Sequence, residues 1–371
     1  MPRFFFGNFD FEHRLADPNH ASSTALIRLN AELATCWLAV AEDGDLVWTP
    51  FSIDPDFFHH AAKLGLPHVV PVTSLSKIPN EVEFVPWGWS AEVRKLANRF
   101  GCRTNAPSEV AVRFANSRAT SHQLEQDWNI GLHGSRRIET ATQFDEAIES
   151  TLTSDSQWVV KAEFGMSARE RILGRGRAIE ADKNWVGRRL KQQRAVFFEP
   201  WVERVDEVGI QIEIPNDGPP RLIGVSPMIV DERGQYAGSW FAGYESRPLA
   251  QHPLWHDAIS TALRAATHLQ SQGYFGPVGI DAMLYRDTDG SLRIRPLQDI
   301  NARWTMGRLS LGLQRLIGQG QRGVWLHGPK TNTQIQMLFE ESQIISTSPH
   351  RVGDEPCRHL SRIWISTTEQ G

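Results

Sequence analysis

The stretch PLQDINARWTMG, residues 296–307, has an order of polar and apolar side chains that packing alone does not require. Asp299, Asn301 and Arg303 are each separated by one apolar residue. In a pleated strand, this alternation places the three polar side chains on one face and the apolar ones on the other. The stretch therefore predicts a strand whose polar face holds an acid, an amide and a guanidinium in a row.

A second acid lies on the preceding arm of a predicted hairpin. GPVGIDAMLY, the turn RDTDG and SLRIRPLQDI span residues 276–300, and an Asp-Gly pair marks the turn. Asp281 lies eighteen residues before Asp299, so pairing of the two arms can bring both carboxylates beside Asn301. Oxygen ligands of this kind suit magnesium, which substrate phosphates usually complete. Arg303 can then hold a phosphate oxygen by a forked hydrogen bond.

The alternative is that both acids are surface residues of the hairpin. Their neighbours weigh against it: Asp281 follows Ile280. Asp299 in turn precedes Ile300. In half-buried strands an unpaired carboxylate is costly, so these surroundings favour a functional role.

A lysine followed by a glycine-rich basic loop forms another motif. Lys161 ends an apolar run, and residues 162–177 interleave glycines, among them Gly165, with Ser167 and several arginines. Backbone N–H groups of such a loop can close over phosphates, which the lysine can also contact. The alternative is a solvated hairpin whose lysine extends along apolar surface into water.

Glu199 marks a break in a strand. It follows AVFF and precedes Pro200, where the chain must leave regular pairing. Exposed backbone groups at such a break can bind an adenine edge, while Glu199 accepts from the adenine amino group. Asp206 or Glu207, just before the next strand, can accept from ribose hydroxyls. Each of these acids is also compatible with an ordinary surface position.

Taken in chain order, these motifs resemble the ATP-grasp family. The resemblance runs from about Ser108 to Leu309. It implies a fold of mixed class, α+β / α/β. Two α+β lobes clamp ATP, and a small α/β pre-ATP-grasp domain precedes them. Members typically transfer the γ-phosphate to a carboxylate, and an amine or thiol then attacks the acyl phosphate. The resemblance therefore implies an ADP-forming carboxylate-amine ligase that uses ATP and Mg²⁺, with Mn²⁺ as an alternative metal.

The resemblance also implies domain boundaries and residue roles. We expect a pre-ATP-grasp domain at 1–107, a linker and first lobe with the glycine loop at 108–200, a second lobe with the metal site at 201–330, and an unassigned extension at 331–371. The metal ligands are Asp281, Asp299 and Asn301, and the catalytic residues are Arg303 and Lys161. The nucleotide-binding residues are Arg118, Lys161, Gly165, Ser167, Glu199, Trp201, Val202, Asp206 and Glu207.

Three positions depart from the family pattern. Asp299 occupies a metal-ligand position that most often holds glutamate, and its side chain is one bond shorter. Arg118 occupies the place of a phosphate-binding lysine, which preserves the charge but not the reach. Gly279 stands where many family ligases have an arginine, so another cation is needed, for which Arg247 is a candidate.

Composition excludes several classes of function. The net charge of −4 and pI near 6.4 of this 371-residue chain argue against nucleic acid as the main partner. Its three cysteines are dispersed, which indicates a reducing, cytoplasmic setting without disulfides or a zinc cluster. No apolar stretch reaches the length of a membrane span. We therefore expect small-molecule partners, a carboxylate and an amine, and leave the oligomeric state open.

Shorter patterns predict local structure. CWLAV, residues 36–40, reads as a strand, and residues 252–272 read as an amphipathic helix. His59 and His60 read as strand neighbours that face opposite ways, which argues against a metal site. GQGQRG at 318–323 matches a dinucleotide-binding pattern but precedes a strand-like run instead of a helix, so we exclude that function.

The polar residues Asp10, Glu12, His13 and Arg14 follow a predicted first strand. The carboxyl edge of an α/β sheet commonly holds ligand contacts, so we expect this lobe to bind part of the acceptor substrate. Helix capping by Asp10 or Glu12 is the competing explanation.

Two further functions remain open beside the ligase. A kinase would release ADP without needing a second acceptor. An ATP-binding sensor would be stabilised by ATP and would release no ADP. The departures at Gly279 and Arg118 are what make the sensor a reasonable alternative.

Overall fold

The structure is a computed structural model. It describes residues 1–79, 81–151, 156–165, 170–231, 234–246, 249–328 and 343–367. Ser167 and Arg247, both singled out by the sequence motifs, lie outside these residues. No helix within the described ranges is long and apolar enough to cross a membrane.

The N-terminal lobe has the α/β architecture that its alternating strands and helices predict. Its elements are β1 Arg3–Phe6, α1 Phe11–Ala16, α2 Thr24–Leu33, β2 Leu46–Trp48, α3 Pro55–Lys63, β3 Val70–Val72, β4 Glu83–Pro86 and α4 Ala91–Arg99. The strands are parallel in the order β3-β2-β1-β4. Phe4 and Phe5 point to opposite faces of β1 and join two different core clusters. The sheet is therefore buried on both faces, as is usual for parallel strands.

Two local predictions in this lobe are wrong. CWLAV is not a strand, because it overlaps the 3-10 helix Ala34–Ala39, whose residues are all buried. An apolar run buried on every side has no period that separates a strand from a helix. His59 and His60 lie in α3, not in a strand. Asp54 caps this helix and Pro55 begins it, which is a start signal stronger than the apolar run.

The middle of the chain pairs helices with a small antiparallel sheet. Its elements are α5 Glu109–Asn116, α6 Arg118–Trp128, β5 Arg136–Ile138, α7 Ala141–Thr151, β6 Gln157–Ala162, β7 Arg171–Arg175, α8 Glu180–Gln192 and β8 Val196–Pro200. The strand order is β5-β8-β6-β7. Trp158 fixes the pairing of β6 with β7, because a Cβ at Gly174 would lie 2.0 Å from its ring. Gly174 is therefore required for close packing.

The C-terminal half is built on one large sheet. Its elements are β9 Glu203–Ile214, β10 Arg221–Val230, β11 Tyr236–Ala242, α9 Leu254–Ser271, β12 Gly276–Arg286, β13 Leu292–Asn301, α10 Met306–Gly312, β14 Gln321–Gly328, β15 Gln343–Ser346, β16 Arg351–Val352, β17 Glu355–Pro356 and β18 Leu360–Thr367. The strand order is β13-β12-β9-β10-β11-β14-β18-β15, and β16 pairs with β17 separately. The predicted helix at 252–272 is confirmed as α9. Two strands from the extension at 331–371, β15 and β18, continue this sheet.

The predicted hairpin of β12 and β13 is present, and it changes register once. Next to the turn, Met283 pairs with Arg295. Beyond an irregularity, Asp281 pairs directly with Asp299. Pro296 lies at this irregularity and has no N–H to donate to the ladder. The shift sets the two acids opposite each other at the carboxyl end of β13.

Candidate active site

The predicted site residues converge on one cavity of about 300 Å³. The cavity lies between the N-terminal lobe, the glycine loop and the large sheet. Additional wall residues come from all three parts of the molecule. The predicted residues that line it are Arg118, Lys161, Gly165, Glu207, Asp281, Asp299, Asn301 and Arg303.

Asp281, Asp299 and Asn301 form the oxygen-rich part of the wall. Asp281 and Asp299 are cross-strand partners, and Asn301 Nδ2 donates to Asp281 Oδ2 over 3.1 Å. Burial, together with the charges of Asp299 and Glu207, raises the pKa of Asp281 to about 7. Two close carboxylates and an amide oxygen are a donor set that fits a divalent cation. Among the described residues, no three His, Cys, Asp or Glu side chains form a group that could hold a metal ion.

Arg118 lies against Asp299, one of the predicted metal ligands. Ser117 caps α6, and Arg118 is the first residue of that helix. Its Nη1 lies 3.1 Å from Asp299 Oδ2, and its Nε donates to the Ala162 carbonyl. Arg118 is therefore fixed between β6 and the acid pair.

A buried network of ion pairs holds Lys161 in position. Lys161 Nζ lies 2.7 Å from Glu199 Oε2. Arg295 donates to both oxygens of Glu199, at 2.9 and 3.1 Å, and to both oxygens of Glu125, at 2.6 and 2.8 Å. Two cations and two carboxylates thus satisfy one another in the interior, the arrangement that buried charges require.

The network sets the charge state of its members. Burial alone would raise the pKa of Glu199, but the charges of Arg295 and Lys161 outweigh it and lower that pKa. Burial lowers the pKa of Lys161, and Glu199 opposes this change. The carboxylate at position 199 therefore remains ionised beside the lysine.

Arg303 connects the end of β13 to the N-terminal lobe. Its Nε donates to Glu12 Oε1 over 2.5 Å, and its Nη2 donates to Asn301 Oδ1 over 3.0 Å. Its Nη1 donates to the Trp304 carbonyl. These contacts hold the guanidinium beside Asn301. β13 ends at Asn301, so Arg303 lies just past the strand and not within it as predicted.

Four of the predicted nucleotide-binding residues do not line the cavity: Glu199, Trp201, Val202 and Asp206. The oxygens of Glu199 accept hydrogen bonds from Lys161 and Arg295 in the buried network. The backbone N–H of Trp201 donates to the Gln157 carbonyl. Arg171 and Arg204 lie 5.8 and 4.3 Å from the Trp201 ring. Glu207 does line the cavity and accepts from Gln298 Nε2 over 3.4 Å.

Steric crowding explains why position 279 is a glycine and not an arginine. A Cβ at this position would lie 2.7 Å from Thr305 Cγ2 and 3.1 Å from Gln211 Oε1. Thr305 caps α10 and donates to Gln211 over 2.7 Å, so neither neighbour is free to move. No side chain, and least of all arginine, fits at position 279 without displacing this contact.

Sequence reasoning missed Arg295, Glu125 and Arg171. Arg295 occupies an inward position of β13 between apolar residues, and a charge there is a usable signal for a buried partner. Glu125 lies 170 residues away, on α6, and no local pattern links the two. Arg171 lines the cavity but is one of several arginines in the loop, which the sequence does not distinguish.

Solved structures of known proteins share this fold. Biotin carboxylase from Campylobacter jejuni, in a complex with β,γ-ATP, has a TM-score of 0.57 and 10% identity, covering 99% of this chain and 87% of that chain. N5-carboxyaminoimidazole synthetase from Staphylococcus aureus has a TM-score of 0.54 and 11% identity, covering 99% and 93%. The biotin carboxylase domain of 2-oxoglutarate carboxylase from Hydrogenobacter thermophilus, in a complex with MgADP and bicarbonate, has a TM-score of 0.55 and 10% identity, covering 99% and 86%.

No protein-family model and no curated protein matches the chain. The likeness in structure therefore stands without a likeness in sequence. It covers nearly the whole chain and confirms the predicted fold.

Proposed function

We propose, on the premise that this chain has the ATP-grasp fold, that it is an ATP- and magnesium-dependent ligase. It activates a small-molecule carboxylate as an acyl phosphate, which an amine, or a thiol, then attacks. The single observation that carries the proposal is the convergence of eight predicted residues, from three separate parts of the chain, on one cavity. The solved structures in complexes with ATP analogues or ADP support nucleotide binding in this fold.

Asp281, Asp299 and Asn301 are the residues that would hold magnesium. Asp281 and Asp299 pair directly across β12 and β13, and Asn301 contacts Asp281, so oxygens of all three can converge on one cation. When bound, the metal neutralises charge on the phosphate oxygens. Arg118 lies close enough to Asp299 to contact the same phosphates.

The side chains of the cavity supply positioning and electrostatic stabilisation. Lys161 contacts the nucleotide phosphates, and Arg303 steadies the phosphoryl group as it moves onto the carboxylate oxygen. Fixed cations of this kind stabilise the charge that develops during phosphoryl transfer. No nucleophile from the protein is required. Closing of the loop at 163–176, of which residues 166–169 lie outside the described part of the chain, would exclude water and protect the acyl phosphate from hydrolysis.

The test is ADP release by the purified chain with ATP, Mg²⁺ and a panel of small carboxylic acids and amines. We expect release that depends on both an acid and an amine. Asp299→Ala and Asn301→Ala should lower it by about a hundredfold or more, because even the outer partners of metal ligands are worth about 10- to 100-fold. Asp289→Asn, in the exposed turn of the same hairpin, is the matched control and should leave the rate unchanged. Full activity of both alanine variants would contradict the metal assignment.

An ATP-binding role without turnover is the second candidate. The observation in its favour is Gly279, whose surroundings leave no room for the arginine that many family ligases have there. Stabilisation by Mg·ATP with no ADP formed across the whole panel would select this function. ADP release with an acid alone would instead select a kinase.

A further inference from the structure

The cavity wall contains a carboxylate oxygen that the protein leaves without a partner. Glu12, on α1, lines the cavity and is only 6% exposed. Its Oε1 accepts from Arg303 Nε, whereas its Oε2 is buried and has no hydrogen-bond partner among the described residues. Native structures rarely leave a buried acceptor unsatisfied, so such an atom calls for a ligand.

Helix capping does not account for this carboxylate. Asp10 is the N-cap residue of α1, and its side chain makes no capping hydrogen bond. Asp10 instead accepts from Ser22 and Asn30. Glu12 contacts Arg303, which lies across the cavity wall in another part of the fold. The side chain is therefore positioned by the site and not by its own helix.

The chemistry of Glu12 selects the kind of partner. The Glu12 carboxylate can only accept hydrogen bonds, and one of its oxygens already accepts from Arg303. The nucleotide phosphates and the carboxylate substrate are anions that also accept, so neither suits Oε2. Of the three reacting groups of the proposed ligase, the γ-phosphate, the carboxylate and the amine, only the amine carries N–H donors. We infer that Glu12 binds the amino group of the acceptor substrate, an inference that rests on the proposed function for the existence of that acceptor.

The residues around Glu12 indicate which chemical groups the rest of the acceptor carries. Phe9, Leu29, Leu33 and Trp87, all from the N-terminal lobe, line the same cavity as Glu12. The rings of Phe9 and Trp87 lie 4.7 Å apart. An apolar wall beside one acceptor oxygen fits a primary amine on an apolar skeleton, because the skeleton gains from burial and the amine from the hydrogen bond.

The binding test uses n-butylammonium chloride as the probe on the full chain without nucleotide. Tetramethylammonium, which has the charge but no N–H, and n-butanol, which has the chain but no charge, are the comparison probes. We expect n-butylammonium to raise the melting temperature of the wild type more than either. Glu12→Gln, whose amide oxygen can still accept from Arg303, should lose this difference. Glu92→Gln, an exposed acid of the same lobe, should retain it.

Two results of this binding test would overturn the inference: no response of the wild type to n-butylammonium, or an equal response in Glu12→Gln. The assay with turnover adds a second readout. For an acid and amine pair that releases ADP, Glu12→Gln should raise the KM of the amine by about tenfold or more, while the KM of ATP stays at the wild-type value. Equal changes in both constants would indicate a structural role and contradict the inference.

A wild type that releases no ADP with any pair would contradict the proposed function alone. The binding test decides the role of Glu12 in that case as well, because it needs neither ATP nor turnover. The two proposals can therefore fail separately.

Discussion

Asp281 is a buried acid that pairs directly with Asp299. Burial, the charge of Asp299 and that of Glu207 together raise the pKa of Asp281 to about 7. In the unfolded chain the same carboxyl group ionises near its ordinary value of 3.8. Between these two values, the folded protein holds a proton that the unfolded chain has lost.

This difference predicts the pH dependence of stability without metal. Because the folded state binds the extra proton, the free energy of unfolding should fall as the pH rises from about 4 to about 7, by at most about 1.4 kcal/mol per pH unit. Urea unfolding in a chelator at several pH values measures this slope. Asp281→Asn cannot ionise and should lack this contribution. An identical slope in the variant would show that the carboxyl group at position 281 is ionised throughout.

The affinity for Mg²⁺ should also depend on the protonation of Asp281. A metal binds the ionised carboxylate, so the affinity for Mg²⁺ should increase between pH 6 and pH 8 as Asp281 loses its proton. Titration calorimetry at both pH values measures this change. An affinity that does not vary with pH would contradict the assignment of Asp281 as a ligand.

At the scale of elements, Arg295 joins β13 to α6 and β8. It is 2% exposed and bonds both Glu125 and Glu199. Arg295→Met leaves two buried carboxylates with only Lys161 as a cation. Removal of one partner from a buried ion pair typically costs about 3–5 kcal/mol, so we expect a loss of that size in the free energy of unfolding.

The control for this prediction lies two residues away on the same strand. Arg293 is 54% exposed, and its ion pairs with Asp287 and Asp289 are on the surface. Arg293→Met should change stability by less than about 1 kcal/mol. Urea denaturation of both variants distinguishes them, and similar losses would mean that the network is not the source of the effect.

At the scale of the molecule, the proposed nucleotide site draws on both halves of the chain. Lys161 comes from β6, and the acid pair comes from β12 and β13. We expect Mg·ATP to raise the melting temperature in a concentration-dependent way. Lys161→Met should weaken this by about tenfold or more in affinity, because a charge-assisted contact is lost. Lys183→Met, an exposed lysine on α8, is the control. Equal nucleotide affinity in both variants would place the phosphates elsewhere.

The sequence predicts this architecture well where a pattern is local. The Asp-Gly turn and the alternation around Asp299 were sufficient to predict the hairpin and the meeting of its two acids. The buried run around Trp37 was wrongly predicted as a strand, since apolar residues on every side carry no period. The link between Arg295 and Glu125 could not be found either, because tertiary packing alone brings α6 to β13. The partners of Glu199 were missed for the same reason.

The irregularity at Pro296 has a consequence for engineering. If the register set by the turn continued without a break, Asp281 would face Leu297, and Asp299 would move about 7 Å along the strand to a position opposite Gly279. A substitution that repairs the ladder would add regular hydrogen bonds while it separates the acids. Selection for thermal stability alone would therefore favour variants in which both acids are still present but lie too far apart to bind one cation.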